Sequence, residues 1–142
     1  MECRGNRLGN HTFVFTFSSD VVSGSATITS GTGSVSGSPV FAGNTMTVTL
    51  TGVTDVQKIT VTLSGVTSGS AQVLPDTSVS ANMLFGDTTG DKTVNKPDGI
   101  LAKLQVGMPV SASNFRDDVN VSGTITAADV RLVRLNVGHT LP

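Results

Sequence analysis

Hydrophobic and polar residues alternate along most of the first eighty-five positions. Residues 11–17, HTFVFTF, set Phe13, Phe15 and Phe17 on one face and Thr12, Val14 and Thr16 on the other, as in a strand packed on one side. Residues 23–30, SGSATITS, align Ala26 with Ile28, and after a Gly/Ser turn residues 33–41, GSVSGSPVF, supply another extended segment. The alternation is clearest in residues 44–53, NTMTVTLTGV, where Met46, Val48 and Leu50 oppose a row of threonines. Residues 57–66, QKITVTLSGV, repeat it with Ile59, Val61 and Leu63, across a turn carrying Gly52 and Asp55. AQVLP at 71–75 and TSVSANMLF at 77–85 close the series. About seven short strands between turn residues predict an antiparallel β-sandwich of immunoglobulin-like type.

The period then lengthens. Residues 97–106, PDGILAKLQV, and 127–137, AADVRLVRLNV, space their apolar residues three and four apart and predict two helices. Pro97 suits a helix start, and Gly107 and Gly138 suit helix ends. Helices of about ten residues, roughly 15 Å, are marginal alone and need support from their surroundings.

Each helix follows a twelve-residue loop, DTTGDKTVNKPD at Asp87–Asp98 and DVNVSGTITAAD at Asp118–Asp129, and the register persists through Leu101/Leu132, Leu104/Leu135, Val106/Val137 and Gly107/Gly138. The unit is duplicated. Oxygen-bearing side chains on alternate positions, ending in a carboxylate at the twelfth, are how a short loop surrounds a hard cation. The first loop offers Asp87, Thr89, Asp91, the carbonyl of Thr93, Asn95 and Asp98; the second offers Asp118, Asn120, Ser122, the carbonyl of Thr124, Thr126 and Asp129. Both read as calcium sites. Neither histidine nor Cys3 falls in a loop, which argues against zinc. Lys92 occupies the sixth position, where a sharp turn favours glycine, whereas Gly123 fills it in the second loop. Val94 and Ile125, at the eighth positions, are expected to lie side by side as two short extended segments.

Residues 86–138 resemble the two-repeat dockerin module, an EF-hand-like calcium-binding docking domain of secreted bacterial proteins with repeats of the form DxNGDGxVNxxDxxxLxxxxxG. Asn114–Asn120, NFRDDVN, resembles the usual lead-in to its second repeat. The resemblance implies two bound calcium ions and a cohesin-type receptor. The receptor-reading positions correspond to Lys96–Pro97 and Ala127–Ala128, where the two copies differ and lack the usual hydroxyl pair. The Thr/Ser/Val strands, including TGVTDVQKITVTLSGVT, resemble bacterial extracellular immunoglobulin-like domains found beside dockerins. Chains of that kind carry a further extended segment upstream of Glu2-Cys3-Arg4. A sandwich without it would expose an unpaired edge, a template for a strand from another copy. Residues 1–10 are a candidate donor, or else pair within their own domain or stay disordered.

Charge supports two domains, residues 1–84 as the sandwich and 85–142 as the dockerin-like module. Seven charged residues fall in residues 1–84 and twelve in residues 85–142. A net charge of −1 without a basic run argues against nucleic acid. Without Trp or Tyr there is little for sugars or bases to stack on. No run is long enough to span a bilayer, and the first residues lack a signal-peptide profile. Single Cys3 has no internal disulfide partner. Glu2, Asp20, Asp55, Asp76 and Asp117 are scattered, and no serine sits in a nucleophile elbow, so no enzyme is expected. Asn10-His11-Thr12 and Asn120-Val121-Ser122 match glycan acceptors.

The expectation is a secreted or cell-surface, non-catalytic calcium-binding protein. It either assembles head to tail with its own copies by β-strand addition and calcium-module contacts, or forms the docking portion of a larger, polysaccharide-degrading protein. Lys103, Arg131 and Arg134 are candidate contacts on the helix faces. The loops themselves either present a partner surface or simply staple a small fold.

Overall fold

The computed structural model describes residues 1–5 and 9–142. Seven strands occur among them, β1 His11–Thr16, β2 Val21–Ser30, β3 Ser34–Val35, β4 Val40–Ala42, β5 Thr45–Thr51, β6 Gln57–Ser68 and β7 Thr77–Met83. Two helices follow, α1 Lys96–Gln105 and α2 Ala127–Leu135, with a short 3-10 turn at Phe115–Asp117 between them. No helix among the described residues is long and apolar enough to cross a membrane.

The expected fold class, an immunoglobulin-like sandwich followed by a small dockerin-like helical domain, is corrected. The chain is a small, mostly β structure with two antiparallel sheets and two short helices. Its two compact units are not successive stretches. One comprises Leu8–Thr54 and Lys58–Ala81; the other gathers Met1–Arg7, Asp55–Gln57 and Asn82–Pro142. Alternation identifies a strand and its inward face but is silent on the neighbour that strand will take, so a run of similar Thr/Val strands was compatible with several topologies.

In the first unit β5 pairs with β1 on one edge and with both β3 and β4 on the other, while β6 lies between β2 and β7. The register sets Phe13 opposite Val48 and Phe15 opposite Met46. The two central strands bury their apolar faces most completely, Met46, Val48 and Leu50 from β5 and Ile59, Val61 and Leu63 from β6. Phe13, Phe15 and Phe17 are only half-buried, because β1 pairs on one side alone. AQVLP forms no strand; Val73 makes a single bridge to Thr67.

In the second unit Leu84, Val94, Ala102, Val119, Val130, Val133 and Leu141 form one apolar cluster, with Met1, Phe85 and Leu132 against it. Each side chain removed from water contributes about 1.5–3 kcal/mol when it is the size of Val or Leu. The leading segment is part of this unit. Glu2 bridges Met83 in parallel, Glu2 N–H donates to Asn82 O at 2.8 Å, Leu84 N–H to Glu2 O at 3.0 Å and Gly86 N–H to Cys3 O at 2.9 Å. Of the candidate donor stretch 1–10, residues 1–5 thus pair within their own chain, and residues 6–8 lie outside the described residues.

Candidate functional site

The two loops build the same hydrogen-bonded frame from different residues. In the first, Asp87 Oδ1 accepts from the N–H groups of Gly90 at 2.7 Å and Asp91 at 3.1 Å, and its Oδ2 from Lys92 N–H at 2.9 Å. In the second, Asp118 Oδ1 accepts from Ser122 N–H at 2.9 Å and its Oδ2 from Gly123 N–H at 2.8 Å. The closing carboxylates correspond as well. Asp98 accepts from Thr89 N–H at 2.9 Å and Asn95 N–H at 2.8 Å, Asp129 from Asn120 N–H at 3.2 Å and Thr126 N–H at 2.8 Å.

Asp98 and Asp129 therefore do two things. Each closes a loop and, at the third helical position, satisfies the backbone N–H of the N-cap residue, Asn95 for α1 and Thr126 for α2. Such a cap is worth about 0.5–2 kcal/mol and needs only a hydrogen-bond acceptor there; at α2 the Thr126 side chain caps in return, accepting from Ala128 N–H.

Capping does not account for the charge. Asp87, Asp98, Asp118 and Asp129 are all buried. The ion pairs among the described residues are Arg4 with Glu2 at 3.1 Å and His139 with Asp55 at 3.0 Å, and neither involves a loop carboxylate. Arg116 sets its guanidinium against Gly90 in the first loop without forming an ion pair there. An ionised carboxylate taken from water without a countercharge is costly even when hydrogen-bonded. In addition, Asn95 Oδ1 and Asp117 Oδ1 are buried with no hydrogen-bond partner. Burial, then the Asp129 and Asp98 carboxylates, push Asp117 up to about 6.

The other expected ligands are more dispersed. Thr89 Oγ1 joins the frame through Asp98 at 2.9 Å. Asp91 is exposed and accepts from Thr93 N–H at 2.9 Å. Asn120 Oδ1 accepts from Ser122 N–H at 3.0 Å, and Ser122 Oγ donates to the Thr124 carbonyl at 3.0 Å. Thr126 Oγ1 accepts from Ala128 N–H at 3.2 Å as a helix cap. No group of three or more His, Cys, Asp or Glu side chains that could hold a metal is present among the described residues. The donor set is two buried carboxylates at each loop, with the exposed Asp91 carboxylate and neutral oxygens beside them in the first and neutral oxygens alone in the second, a composition that fits a hard cation and not a thiophilic one.

Val94 and Ile125 do not pair with each other as expected. Val94 N–H donates to His139 O at 2.8 Å and Val94 O accepts from Gly138 N–H at 2.9 Å, while Gly107 N–H donates to Ile125 O at 3.0 Å. The turn after each helix thus closes on the other repeat's loop, α1 on the second and α2 on the first. Short pairings at Pro109–Thr124 and Thr93–Thr140 extend both contacts. The glycines ending both helices were visible in the sequence, but Gly107 meets Ile125 in the loop that follows it and Gly138 meets Val94 in the loop of the other repeat far upstream, a relation periodicity does not carry.

Sequence reasoning also missed the leading segment here. Cys3 is buried against the second unit's interior and its Sγ lies 3.7 Å from Arg116 O; burial, with Glu2 adding to it, pushes the thiol up to about 12. Gly5 N–H donates to Val119 O at 2.9 Å, one residue past Asp118. Arg4 stacks over the Phe115 ring at 4.8 Å. Lys103, Arg131 and Arg134 are exposed, as are Lys96–Pro97 and Ala127–Ala128. A cavity of about 520 Å³ in the first unit, lined by Phe17, Val21, Val66, Val73 and Leu74 among others, has no acid, base or histidine in its wall.

A scan against protein-family models finds no match, and searches of curated proteins and solved structures find none either. The resemblance to dockerins is corrected on these grounds, together with the missing three-acid group. Loop and helix spacing matched that pattern, but spacing constrains only where oxygens fall along the chain, not which of them converge. The expectation of a cohesin-type receptor rested on the resemblance.

Proposed function

We propose that this chain is a non-catalytic, extracellular structural protein whose two loops bind calcium and which assembles head to tail with its own copies through β-strand addition. The observation that carries the calcium reading is the set of four buried carboxylates, paired at corresponding positions of a duplicated loop and outside the ion pairs among the described residues. A divalent ion supplies the missing countercharge. Asp87 and Asp98 hold it in the first loop, with Thr89, Asp91, Asn95 and the Thr93 carbonyl as further oxygens. Asp118 and Asp129 hold it in the second, with Asn120, Ser122, Thr126 and the Thr124 carbonyl. Because the same carboxylates cap α1 and α2, binding stabilises the helices and through them the closing turns at Gly107 and Gly138.

Assembly is supported by surfaces that the chain leaves uncovered. Among the described strands β1 pairs with β5 alone, with Val14 exposed and a half-buried row of phenylalanines, and such an edge is a template for another strand. Leu104 and Leu135, equivalent in the duplication, are 71% and 68% exposed.

Isothermal titration with calcium tests the first half, with two ions per chain expected. Electron microscopy in millimolar calcium and in chelator tests the second, with regular fibres expected only in calcium. No heat of binding would refute the site, and monodisperse particles under both conditions would refute the assembly.

A further inference from the structure

Among the described residues, the hydrogen bonds of Met1–Gly5 are made with groups of the second unit. The segment's backbone takes Asn82 O, Leu84 N–H and Gly86 N–H on one side and Val119 O on the other. Cys3 is buried beneath it, Met1 lies against the apolar cluster, and Arg4 covers Phe115. The chain then leaves this unit for the 47-residue stretch Leu8–Thr54 of the other unit before it returns at Asp55. The segment is therefore an extended element whose backbone bonds among the described residues lie on one unit, while the chain continues from it into the other. Such an element can be exchanged between copies at low cost, because each contact made within a chain is reproduced between chains.

We infer that Asn82–Gly86 and Val119 form the acceptor edge for assembly, and that its occupant is the Met1–Gly5 segment of a second copy. This rests on the self-assembly reading above and adds, beside the β1 edge, a second acceptor edge with its own donor. Donor and acceptor are different surfaces, so an exchange that does not close on itself runs on from copy to copy. The acceptor edge abuts both loops: Gly86 precedes Asp87, and Val119 follows Asp118. A calcium ion that orders Asp87 and Asp118 also sets the carbonyl and N–H groups that grip the incoming segment. Exposed Leu104 and Leu135 provide apolar surface that contact between copies can cover.

Glu2 and Met83 are bridge partners, and adjacent strand positions fall within reach of a disulfide. The test is a chain carrying Glu2→Cys and Met83→Cys with Cys3→Ser, assembled in calcium, oxidised, and run on a non-reducing gel. A ladder of covalent oligomers is the expected result. Fibres that yield only internally cross-linked monomer would overturn the exchange and leave self-assembly standing. Covalent dimer alone would overturn the run-on form in favour of a closed pair. Absence of fibres from the unmodified chain would remove the assembly reading and the exchange together. Because replacing buried Met83 by the smaller cysteine costs stability, the single change Glu2→Pro gives a second test. It removes the N–H that bonds Asn82 O, and fibres formed as readily as by the unmodified chain would overturn the proposal.

Discussion

The two loops reach one backbone shape from opposite choices of residue. Both need a left-handed conformation at their fourth and sixth positions. In the first loop these are Gly90 at φ 79° and Lys92 at φ 73°; in the second they are Val121 at φ 56° and Gly123 at φ 84°. Each loop has glycine at one position and a strained residue at the other. Positive φ is uncommon for lysine and a marked outlier for a β-branched valine. The Asp87 and Asp118 carboxylates impose that shape, because each gathers N–H groups that point inward only when the chain turns this way. The lesson is that the hydrogen-bonded frame dictates the backbone, and composition decides only where the strain is relieved.

Removing calcium should give the largest effect, since it leaves both loops with uncompensated charge. Two sites each near a hundredfold saturation contribute about 5 kcal/mol, and chelator should lower the melting temperature by on the order of 10 °C. Calorimetry with and without chelator measures this, and coincident transitions would show that the loops contribute nothing through metal.

Next, Asp98→Ala and Asp129→Ala should each remove one ion per chain and cost about 2 kcal/mol in capping and stranded N–H groups. Titration of each variant separates the loops. If both variants retain two ions, the closing carboxylates are caps and no more.

Strain is the subtler contrast. Val121→Gly should stabilise by about 1–2 kcal/mol and Lys92→Gly by about 1 kcal/mol, read from urea midpoints. The reciprocal change Gly90→Val should destabilise, since its side chain would also meet the Arg116 guanidinium. Equal effects of Val121→Gly and Lys92→Gly would remove the proposed difference between lysine and valine.

The smallest signal is in Cys3, whose carbonyl accepts from Gly86 N–H beside the first loop and whose segment reaches the second through Gly5 N–H to Val119 O. A buried thiol raised to about 12 stays protonated near neutrality and should label slowly at pH 8 in calcium. Because the folded pKa lies above the ordinary value, its effect on stability is absent below about pH 9 and becomes a loss as pH rises toward 12. Labelling should quicken in Asp98→Ala and Asp129→Ala; the faster variant identifies the loop that grips the segment more tightly.

Several features were legible from local pattern. β5 and β6 were clear because strict alternation with threonine leaves one possible inward face, and Met46, Val48, Leu50, Ile59, Val61 and Leu63 are all buried. The start of α1 was legible in Pro97, which lies in its first turn, whereas the caps that Asp98 and Asp129 supply were read only as loop-closing oxygens. Phe13, Phe15 and Phe17 showed a face but not its burial, which depends on how many strands flank β1. Asp117 was set aside as a turn acid; its isolation beside Asp98 and Asp129 arises from the fold around it.

What the sequence by itself determined is the local geometry: strand faces, helix starts, and the placement of oxygens around a duplicated turn. These follow from backbone periodicity and hydrogen bonds that span a few residues. Only the tertiary structure decided that β3 and β4 share an edge of β5, that Val94 joins Gly138 and His139 while Ile125 joins Gly107, and that Met1–Gly5 lies along residues 82–86. Those contacts close long stretches of chain, and the entropy of closing them is repaid by the core as a whole rather than by any pattern near the residues that meet.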